Sequence, residues 1–234
     1  MSIRTESHGA VGQLWLDRPE RAHAYDRAHL DALLVAAEAL AAAHRVIVVC
    51  STGERAFCGG ADLDAMKHAS PLDALELRSQ RVFTALARLP VVTIAAVQGA
   101  AVAGGFELAL ACDLRVAGPA ARFSLPETRL GILPAAGGTT RLTRLVGPSR
   151  AKEVILAGRT VDADAALAWG IVHRVVSDPR AEALAWAREI AERDPVAVAM
   201  AKALIDADES DGALARERQA EAVLYARKRG AGAE

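Results

Sequence analysis

The chain has 234 residues, 52% of them hydrophobic, which is enough apolar material to bury a sizeable core within one domain. Lysine and arginine together number 28 and aspartate and glutamate 29, so the net charge is −1. This balance excludes nucleic acid and anionic membranes as partners recruited by overall charge, and any anionic ligand must be held by local positive groups.

The cysteines and the N-terminus limit the class of protein further. Three cysteines without CxxC spacing, Cys50, Cys58 and Cys112, argue against a disulfide framework and a zinc site, so no metal is expected. No apolar run reaches the roughly 18 residues that span a membrane, and residues 1–6 contain no apolar signal segment. We therefore expect a cytoplasmic protein with no membrane partner.

The first elements are a strand and a helix. Residues 11–16 alternate as a strand does, and the turn residues at 17–20 end it. Asp26 is a good N-cap for the helix that follows. The apolar positions of this helix repeat at helical spacing: Leu30, Leu33, Leu34, Ala37 and Leu40.

Two glycine-rich stretches, residues 56–66 and 99–107, each follow a β-branched run that predicts a buried strand. Both are interpreted as strand-to-helix turns, after strands over residues 46–49 and 91–97. Glycine lets the backbone approach a ligand closely, and the first turn of a helix directs free NH groups outward. Two such turns facing one cleft could hold an oxygen atom between two NH groups, as an oxyanion hole. The alternative is that both are ordinary turns of an α/β protein.

Two glutamates are the candidate acid–base groups beside these turns. Glu107 follows Gly104 by one helical turn, and Glu127 lies in a Ser-Leu-Pro-Glu sequence. The alternative for each is a surface or salt-bridged glutamate.

The rest of the chain alternates between strand and helix up to residue 177 and is helical afterwards. Helices are predicted over residues 72–89 and 106–112, strands over 113–117 and 122–124, a loop over 134–139, and C-terminal helices over 181–192, 195–206 and 212–228.

Four blocks, residues 56–63, 104–113, 123–127 and 131–139, resemble in order and spacing the signature blocks of the crotonase (enoyl-CoA hydratase/isomerase) superfamily. The resemblance runs from about Leu14 to at least Met200. It implies an α/β fold in which a crotonase-like spiral of repeated ββα units fills residues 1–177. Residues 178–234 would form a C-terminal helical oligomerisation region, shortened relative to the family, in a homotrimer or a dimer of trimers (homohexamer).

The same resemblance implies the site. The NH groups of Ala61 and Gly104 would bind the carbonyl oxygen of an acyl-CoA thioester. Glu127 would serve the α-carbon as general acid/base, and Glu107 would hold and activate water. CoA is part of the substrate and no other cofactor is implied. Further contacts with the substrate or CoA are expected from Arg21, Ala22, Ala24, Gly60, Asp62, Leu63, Met66, Gly105, Pro134 and Gly137.

The chain departs from the family pattern at two places. His23-Ala24-Tyr25 replaces the usual Asn-Ala-Leu triplet, and for Arg21 and His23 the alternative to a CoA contact is a solvated loop. Asp62 is interpreted first as a helix cap. The chain also stops soon after the basic residues at 227–229, where relatives continue into a final helix that helps to close the acyl site. These basic residues either substitute in part for that helix or are solvated charge at the terminus.

Retention of both glutamates favours reversible hydration of a 2-enoyl-CoA to a 3-hydroxyacyl-CoA. The alternatives are isomerisation, or another lyase or decarboxylase reaction of the superfamily, on an acyl-CoA or an acyl-carrier thioester. A further alternative is a catalytically silent acyl-CoA-binding homologue. The pocket around Met66 and Phe83 would separate these reactions, and the sequence does not define its shape.

Overall fold

A computed structural model describes residues 2–62, 64 and 76–207. Its strands form two sheets, one of six strands in the order β1-β2-β3-β5-β7-β10 and one of four in the order β4-β6-β8-β9. The strands are β1 Ser2–His8, β2 Val11–Asp17, β3 Val46–Ser51, β4 Ala56–Cys58, β5 Val92–Val97, β6 Ala100–Val102, β7 Leu114–Ala117, β8 Arg122–Ser124, β9 Val161–Asp162 and β10 Arg174–Val175.

Seven α-helices lie in the same part of the chain: α1 Arg27–Ala43, α2 Arg78–Ala87, α3 Gly104–Ala111, α4 Gly138–Ile155, α5 Ala163–Ala168, α6 Pro179–Ala191 and α7 Pro195–Ile205. Two 3-10 helices, Pro19–Arg21 and Glu127–Leu130, complete the elements. Gly147 has a non-helical conformation and is followed by Pro148, so α4 is two helical segments joined by a kink.

The central strands of the larger sheet, β3 and β5, are buried on both faces, as expected of parallel strands covered by helices on each side. Successive residues of β3 alternate between two apolar clusters. Ile47 and Val49 pack in the cluster that contains α1, whereas Val46 and Val48 pack in the cluster that contains α6. All six residues of β3 are buried, which explains why this strand reads as a continuous apolar run rather than an alternating one.

The two glycine stretches are not direct strand-to-helix turns. Each long strand is followed first by a three-residue strand of the smaller sheet, β3 by β4 and β5 by β6. A helix follows only after that, and β7 and β8 repeat the same pair of strands. This repeat is the ββα unit of the predicted spiral. A three-residue strand is too short to give a period in the sequence, so β4 and β6 escaped prediction, whereas β8 was predicted over residues 122–124.

The remaining predicted elements are confirmed where the structure describes them. Asp26 caps α1, since its side chain accepts the NH of His29 at 3.0 Å. The helix predicted over residues 72–89 is present as α2, and the helices predicted over 181–192 and 195–206 are α6 and α7. The helix predicted over 212–228 lies outside the described residues. The first strand, β1, was not predicted, because six of its seven residues are polar and it lies at the edge of the sheet.

The C-terminal helices are fastened to the larger sheet. Ala183, Ala187 and Ala191 of α6 belong to the second apolar cluster. In α7, the Lys202 ammonium donates to Asp113 at 2.8 Å and to the carbonyl of Val91 at 2.9 Å. None of the helices in residues 2–62, 64 and 76–207 combines the length and apolar composition that a membrane crossing requires.

Candidate active site

The first glycine turn is held by backbone hydrogen bonds to Tyr25. The Tyr25 NH donates to the Gly60 carbonyl at 2.9 Å, and the Tyr25 carbonyl accepts the Asp62 NH at 2.8 Å. These bonds lie on either side of Ala61, which pairs with Tyr25 as an isolated parallel bridge. Across the part of the chain that the structure describes, no carbonyl accepts the NH of Ala61. This NH is therefore fixed in direction, and no described backbone group competes with a ligand for it.

The second glycine turn opens α3. Ala103 precedes the helix at φ 53° and ψ −129°, and its NH donates to the Ser124 carbonyl at 2.9 Å. Gly104 is the first residue of α3, so its NH has no partner inside the helix. No other carbonyl of the described residues accepts it.

The two turns touch each other. Gly60 has φ +90°, and a Cβ atom added to it would lie 3.0 Å from the backbone nitrogen of Gly104 and 3.0 Å from the Cβ of Ala103. Glycine is needed at this position both for the conformation and for the close approach. The approach brings the peptide of Ala61 beside the start of α3. Two unpartnered NH groups thus come from two turns in direct contact.

Glu107 lies one turn along α3, on the same face as Gly104. Its side chain is only 3% exposed, and its Oε1 accepts the NH of Gly138 at 2.8 Å. Burial raises the pKa of Glu107 to about 7, and the nearby charge of Glu127 adds to the rise. Hydrogen bonds from the backbone of Gly138 and Ala136 act in the opposite direction. This carboxylate is therefore able to exchange a proton at neutral pH.

Glu127 begins the 3-10 helix Glu127–Leu130 and is 5% exposed. Burial raises its pKa, and its Oε2 atom is buried with no hydrogen-bond partner among the described residues. Because the charge of Glu127 acts on Glu107, the two carboxylates share one region of the protein. A buried carboxylate oxygen without a partner is costly, so a ligand or water is the expected partner.

The loop before α4 encloses Glu107. Pro134 is buried, and a Cβ atom added to Gly138 would lie 2.9 Å from the Cβ of Pro134 and 3.0 Å from Oε1 of Glu107. The guanidinium of Arg141 lies against Gly137 and donates to the Ala136 carbonyl at 2.9 Å. The positive charge of Arg141 acts to lower the pKa of Glu107. From the sequence, Arg141 was predicted only as part of a basic helix, and its influence on Glu107 was not predicted.

For the loop at residues 21–24 the sequence left two interpretations, a CoA contact or a solvated loop. The second is wrong for His23. His23 is 5% exposed, so it does not lie in a solvated loop. Its Nδ1 accepts the NH of Arg18 at 3.0 Å, and its Nε2 therefore donates to the Thr52 carbonyl at 3.0 Å. Burial lowers the pKa of His23, which keeps it neutral. His23 occupies the position of the family's usual asparagine and stabilises the loop through these two hydrogen bonds.

The neighbours of His23 are placed differently. Arg21 is exposed and pairs with Asp64 at 3.4 Å. Ala22 has φ 49°, and its carbonyl accepts the NH of Gly59 at 2.8 Å, which joins this loop to the first turn. The carbonyl of Ala24 accepts a hydrogen bond from the Arg18 guanidinium at 3.0 Å.

Asp62 and Gly105 have structural contacts of their own. Asp62 accepts the NH of Asp64 at 3.0 Å, as a capping residue does, and pairs with Arg18 at 3.1 Å. A Cβ atom on Gly105 would overlap the carbonyl oxygen of Cys58, so this glycine lets α3 pack on β4. Leu63 and Met66 lie outside the described residues.

Tyr25 is the residue of this region that the sequence did not indicate. It was noted only as part of the triplet that departs from the family pattern. Its hydroxyl lies against the Cα of Gly104, and its ring meets Phe83 edge-on. No periodicity or spacing connects Tyr25 with Gly104, since the contact depends on how two loops pack.

A family model described as enoyl-CoA hydratase/isomerase matches residues 6–229. The chain belongs to this family. The short-chain-enoyl-CoA hydratase of Clostridium acetobutylicum is 36% identical over 230 residues, which is 94% of this chain and 87% of the relative. The mitochondrial methylglutaconyl-CoA hydratase of Mus musculus is 38% identical over 214 residues, covering 87% of this chain and 68% of the relative.

Solved structures agree with this membership. The structure of the enoyl-CoA hydratase from Bacillus anthracis superposes with a TM-score of 0.90 at 35% identity, covering 94% of this chain and 90% of that one. The crotonase fold that the sequence blocks predicted is thereby confirmed for this enoyl-CoA hydratase/isomerase family member.

Proposed function

We propose that this protein is an enoyl-CoA hydratase that reversibly adds water, in the syn sense, to a 2-enoyl-CoA and forms a 3-hydroxyacyl-CoA through an enolate. The observation that carries the proposal is the contact between two turns with unpartnered NH groups beside two buried, interacting carboxylates. The relatives include hydratases named for their CoA thioester substrates. This supports CoA as the group that carries the acyl chain.

The two turns account for activation of the thioester. The thioester carbonyl oxygen would accept hydrogen bonds from the NH groups of Ala61 and Gly104. Negative charge would build on this oxygen as water adds to the β-carbon. Donors that are already fixed in direction stabilise this charge without reorganisation. Removing one such donor from an oxyanion hole typically costs about 3 kcal/mol in the transition state. The positive end of α3 adds to the stabilisation at Gly104.

The two carboxylates account for the proton transfers. In hydration, ionised Glu107 takes a proton from water as its oxygen bonds to the β-carbon, and protonated Glu127 then gives a proton to the α-carbon. In dehydration, ionised Glu127 removes the α-proton and protonated Glu107 gives a proton to the departing hydroxyl. In both directions the pair holds one proton. The raised pKa of Glu107 keeps that proton on the pair at neutral pH.

The position of Glu107 favours hydration over isomerisation. Moving a double bond requires one acid–base group that takes a proton from the α-carbon and returns it to the γ-carbon, a role that Glu127 can fill alone. A second carboxylate, buried and held by the NH of Gly138, has a use when water must be activated. A decarboxylase or other lyase reaction, and a silent acyl-CoA-binding homologue, are the alternatives that remain if no hydration is detected.

The test is to mix the protein with crotonyl-CoA and with longer and branched 2-enoyl-CoAs and to follow loss of the conjugated thioester absorbance. Glu107→Gln and Glu127→Gln should each lower kcat by a factor of about 10² to 10⁴. Glu38→Gln, at an exposed position of α1, is the matched control and should behave as wild type. Normal hydration by Glu107→Gln, with Glu127→Gln inactive, would contradict the two-carboxylate mechanism. Tight CoA binding without loss of this absorbance would point instead to isomerase or decarboxylase chemistry, or to the silent homologue.

We also propose that the chain assembles as a homotrimer or a dimer of trimers. Within the described residues, several large apolar side chains are more than half exposed, with exposed fractions of 61% for Leu130, 59% for Leu133, 68% for Leu156 and 81% for Ile205. Exposed apolar surface of this kind is typical of an interface between subunits. Light scattering coupled to size-exclusion chromatography tests the assembly, and a monomeric mass would contradict it.

A further inference from the structure

We propose that Tyr25 is a positioning residue of the oxyanion hole, which fixes the spacing between the NH groups of Ala61 and Gly104. The Tyr25 backbone forms hydrogen bonds with Gly60 and Asp62, on either side of Ala61. Its side chain packs against Gly104. The proposal rests on the proposed function only in that a thioester oxygen occupies the site, and it extends to any reaction that forms an enolate there.

The backbone of Tyr25 determines the direction of the Ala61 NH. The hydrogen bonds of 2.9 and 2.8 Å to Gly60 and Asp62 hold both peptide units that flank Ala61. This pairing is a parallel bridge of a single residue, so no longer ladder stabilises it. Rotation of Tyr25 would therefore turn the first donor directly.

The side chain of Tyr25 determines the position of the second donor. A Cβ atom added to Gly104 would overlap the Tyr25 hydroxyl oxygen and lie 2.8 Å from Cζ and 3.1 Å from Cε1 of the ring. The three nearest atoms to this position all belong to Tyr25. Gly104 is helical and does not have a positive φ, so its backbone conformation would accept alanine. The contact with Tyr25 is what requires glycine here.

Other groups hold the Tyr25 ring in place. Its edge meets the face of Phe83 at 5.7 Å between ring centroids, with an angle of 89° between the planes. Burial raises the pKa of Tyr25 well above its usual value, the charges of Glu107 and Glu127 add to the rise, and the Ser79 side chain acts in the opposite direction. The phenol therefore stays neutral. A leucine, the usual residue in the family triplet, would lack both the hydroxyl and the planar contact with Gly104.

The consequence is a defined substitution series. Tyr25→Phe keeps the ring and removes the hydroxyl that touches Gly104, and Ser79→Ala removes the side chain that acts on this hydroxyl. Tyr25→Leu opens space beside Gly104. Since a misplacement of about 1 Å in an active site can lower a rate about 100-fold, we expect kcat for hydration to fall about 3-fold to 10-fold in the first two variants and about 10-fold to 100-fold in Tyr25→Leu. KM should change much less than kcat.

The readout specific to the oxyanion hole is ionisation of bound acetoacetyl-CoA, whose enolate absorbs in the near ultraviolet. A pH titration of this absorbance gives the apparent pKa of the bound ketothioester. We expect Tyr25→Leu to raise that pKa by about one unit, because loss of enolate stabilisation disfavours the charged form. Ser149→Ala, at an exposed position of α4, is the matched control for Ser79→Ala and should leave the pKa unchanged.

A double-substitution cycle tests the contact itself. Gly104→Ala should abolish most activity in the wild-type background, because its Cβ conflicts with Tyr25. In the Tyr25→Leu background the same change should cost at least about 10-fold less, since contacting residues are not additive. Ser79→Ala should likewise have no further effect once Tyr25 is phenylalanine.

The proposal is overturned if Tyr25→Phe and Tyr25→Leu lower only the melting temperature and leave kcat and the pKa of bound acetoacetyl-CoA at their wild-type values. Additive effects of Gly104→Ala and Tyr25→Leu would also overturn it. Failure of the proposed function is distinguishable from both results. A wild-type protein that ionises acetoacetyl-CoA but does not hydrate any enoyl-CoA would contradict the hydratase and still allow every test of Tyr25.

Discussion

The two glycine turns look alike in the sequence and need their glycines for different physical reasons. In the first turn Gly60 has φ +90°, a conformation that favours glycine, and it also approaches α3 closely. In the second turn the positive φ belongs to Ala103, and the glycines that follow are helical. Gly104 makes room for Tyr25 and Gly105 makes room for the Cys58 carbonyl. The shared motif therefore conceals one position that needs glycine for both conformation and packing, and two that need it for packing alone.

The geometry of the proposed oxyanion hole therefore depends on the neighbours of its glycines as much as on the glycines themselves. The first donor is aligned by a strand-like pairing with Tyr25, and the second by the start of a helix packed on a strand. The predictions that follow separate conformation from packing.

Gly105→Ala should have the largest effect on stability. Its Cβ would overlap the Cys58 carbonyl oxygen and lie 2.5 Å from the carbonyl carbon, and backbone atoms cannot move aside as a flexible side chain can. Overpacking of this kind should lower the free energy of unfolding by about 3 kcal/mol. Urea denaturation measures the change. A variant as stable as wild type would show that α3 shifts freely on β4.

Gly60→Ala combines conformational strain with crowding against Gly104. The positive φ should cost about 1 to 2 kcal/mol of stability, and displacement of the Ala61 NH should lower kcat for hydration about 100-fold. Gly53→Ala is the matched control, because Gly53 has φ +67° and no atom within 4 Å of its added Cβ. The control should lose similar stability and no activity. Equal loss of activity in both variants would contradict the role of the Gly60 contact.

Glu107→Gln, in the helix that follows the second turn, should raise the free energy of unfolding at high pH. No such pH dependence is expected for substitutions in the first turn. The folded-state pKa of about 7 lies above the reference value of 4.5, so the stability associated with the protonated form is complete below pH 4.5 and is lost as pH rises through 7. Glutamine avoids this loss and can still accept the NH of Gly138. Relative to wild type, we expect a gain of about 1 to 2 kcal/mol at pH 8 and little gain at pH 4.5, measured by urea denaturation. The same difference at both pH values would contradict the burial of an ionised carboxylate.

Ala103→Gly should give the smallest effect and a favourable one. Alanine at φ 53° and ψ −129° is strained, and such strain costs about 1 to 3 kcal/mol. Glycine relieves it but has more conformational freedom in the unfolded chain, which costs about 0.5 to 1 kcal/mol. The net gain should be about 1 kcal/mol, seen as a higher melting temperature. A lower melting temperature would show that the Ala103 methyl group is needed for packing.

Much of the fold was predictable because its signals are local. The buried strand β3, the cap at Asp26 and the helices α6 and α7 follow from apolar runs, capping chemistry and helical spacing. The order of the four blocks was enough to predict the family, which the family match at residues 6–229 confirms. The roles of the individual site residues remain predictions, although the structure brings both turns and both glutamates together.

The missed features depend on contacts between distant segments. The short strands β4 and β6 pair with each other, and three residues carry no period from which either could be predicted. His23 reads as a loop residue, yet the NH of Arg18 and the carbonyl of Thr52 satisfy both of its ring nitrogens in the interior. Neither contact can be derived from the composition of the loop.

By itself the sequence determined the alternation of strands and helices, the positions of the two turns and the identity of the two glutamates, because these properties belong to short stretches of chain. Only the tertiary structure decided that the Gly60 turn lies against Gly104, that Glu107 is buried enough to hold a proton at neutral pH, and that Tyr25 contacts both turns. Desolvation and close backbone approach arise only when segments distant in sequence pack together, so no local pattern encodes them.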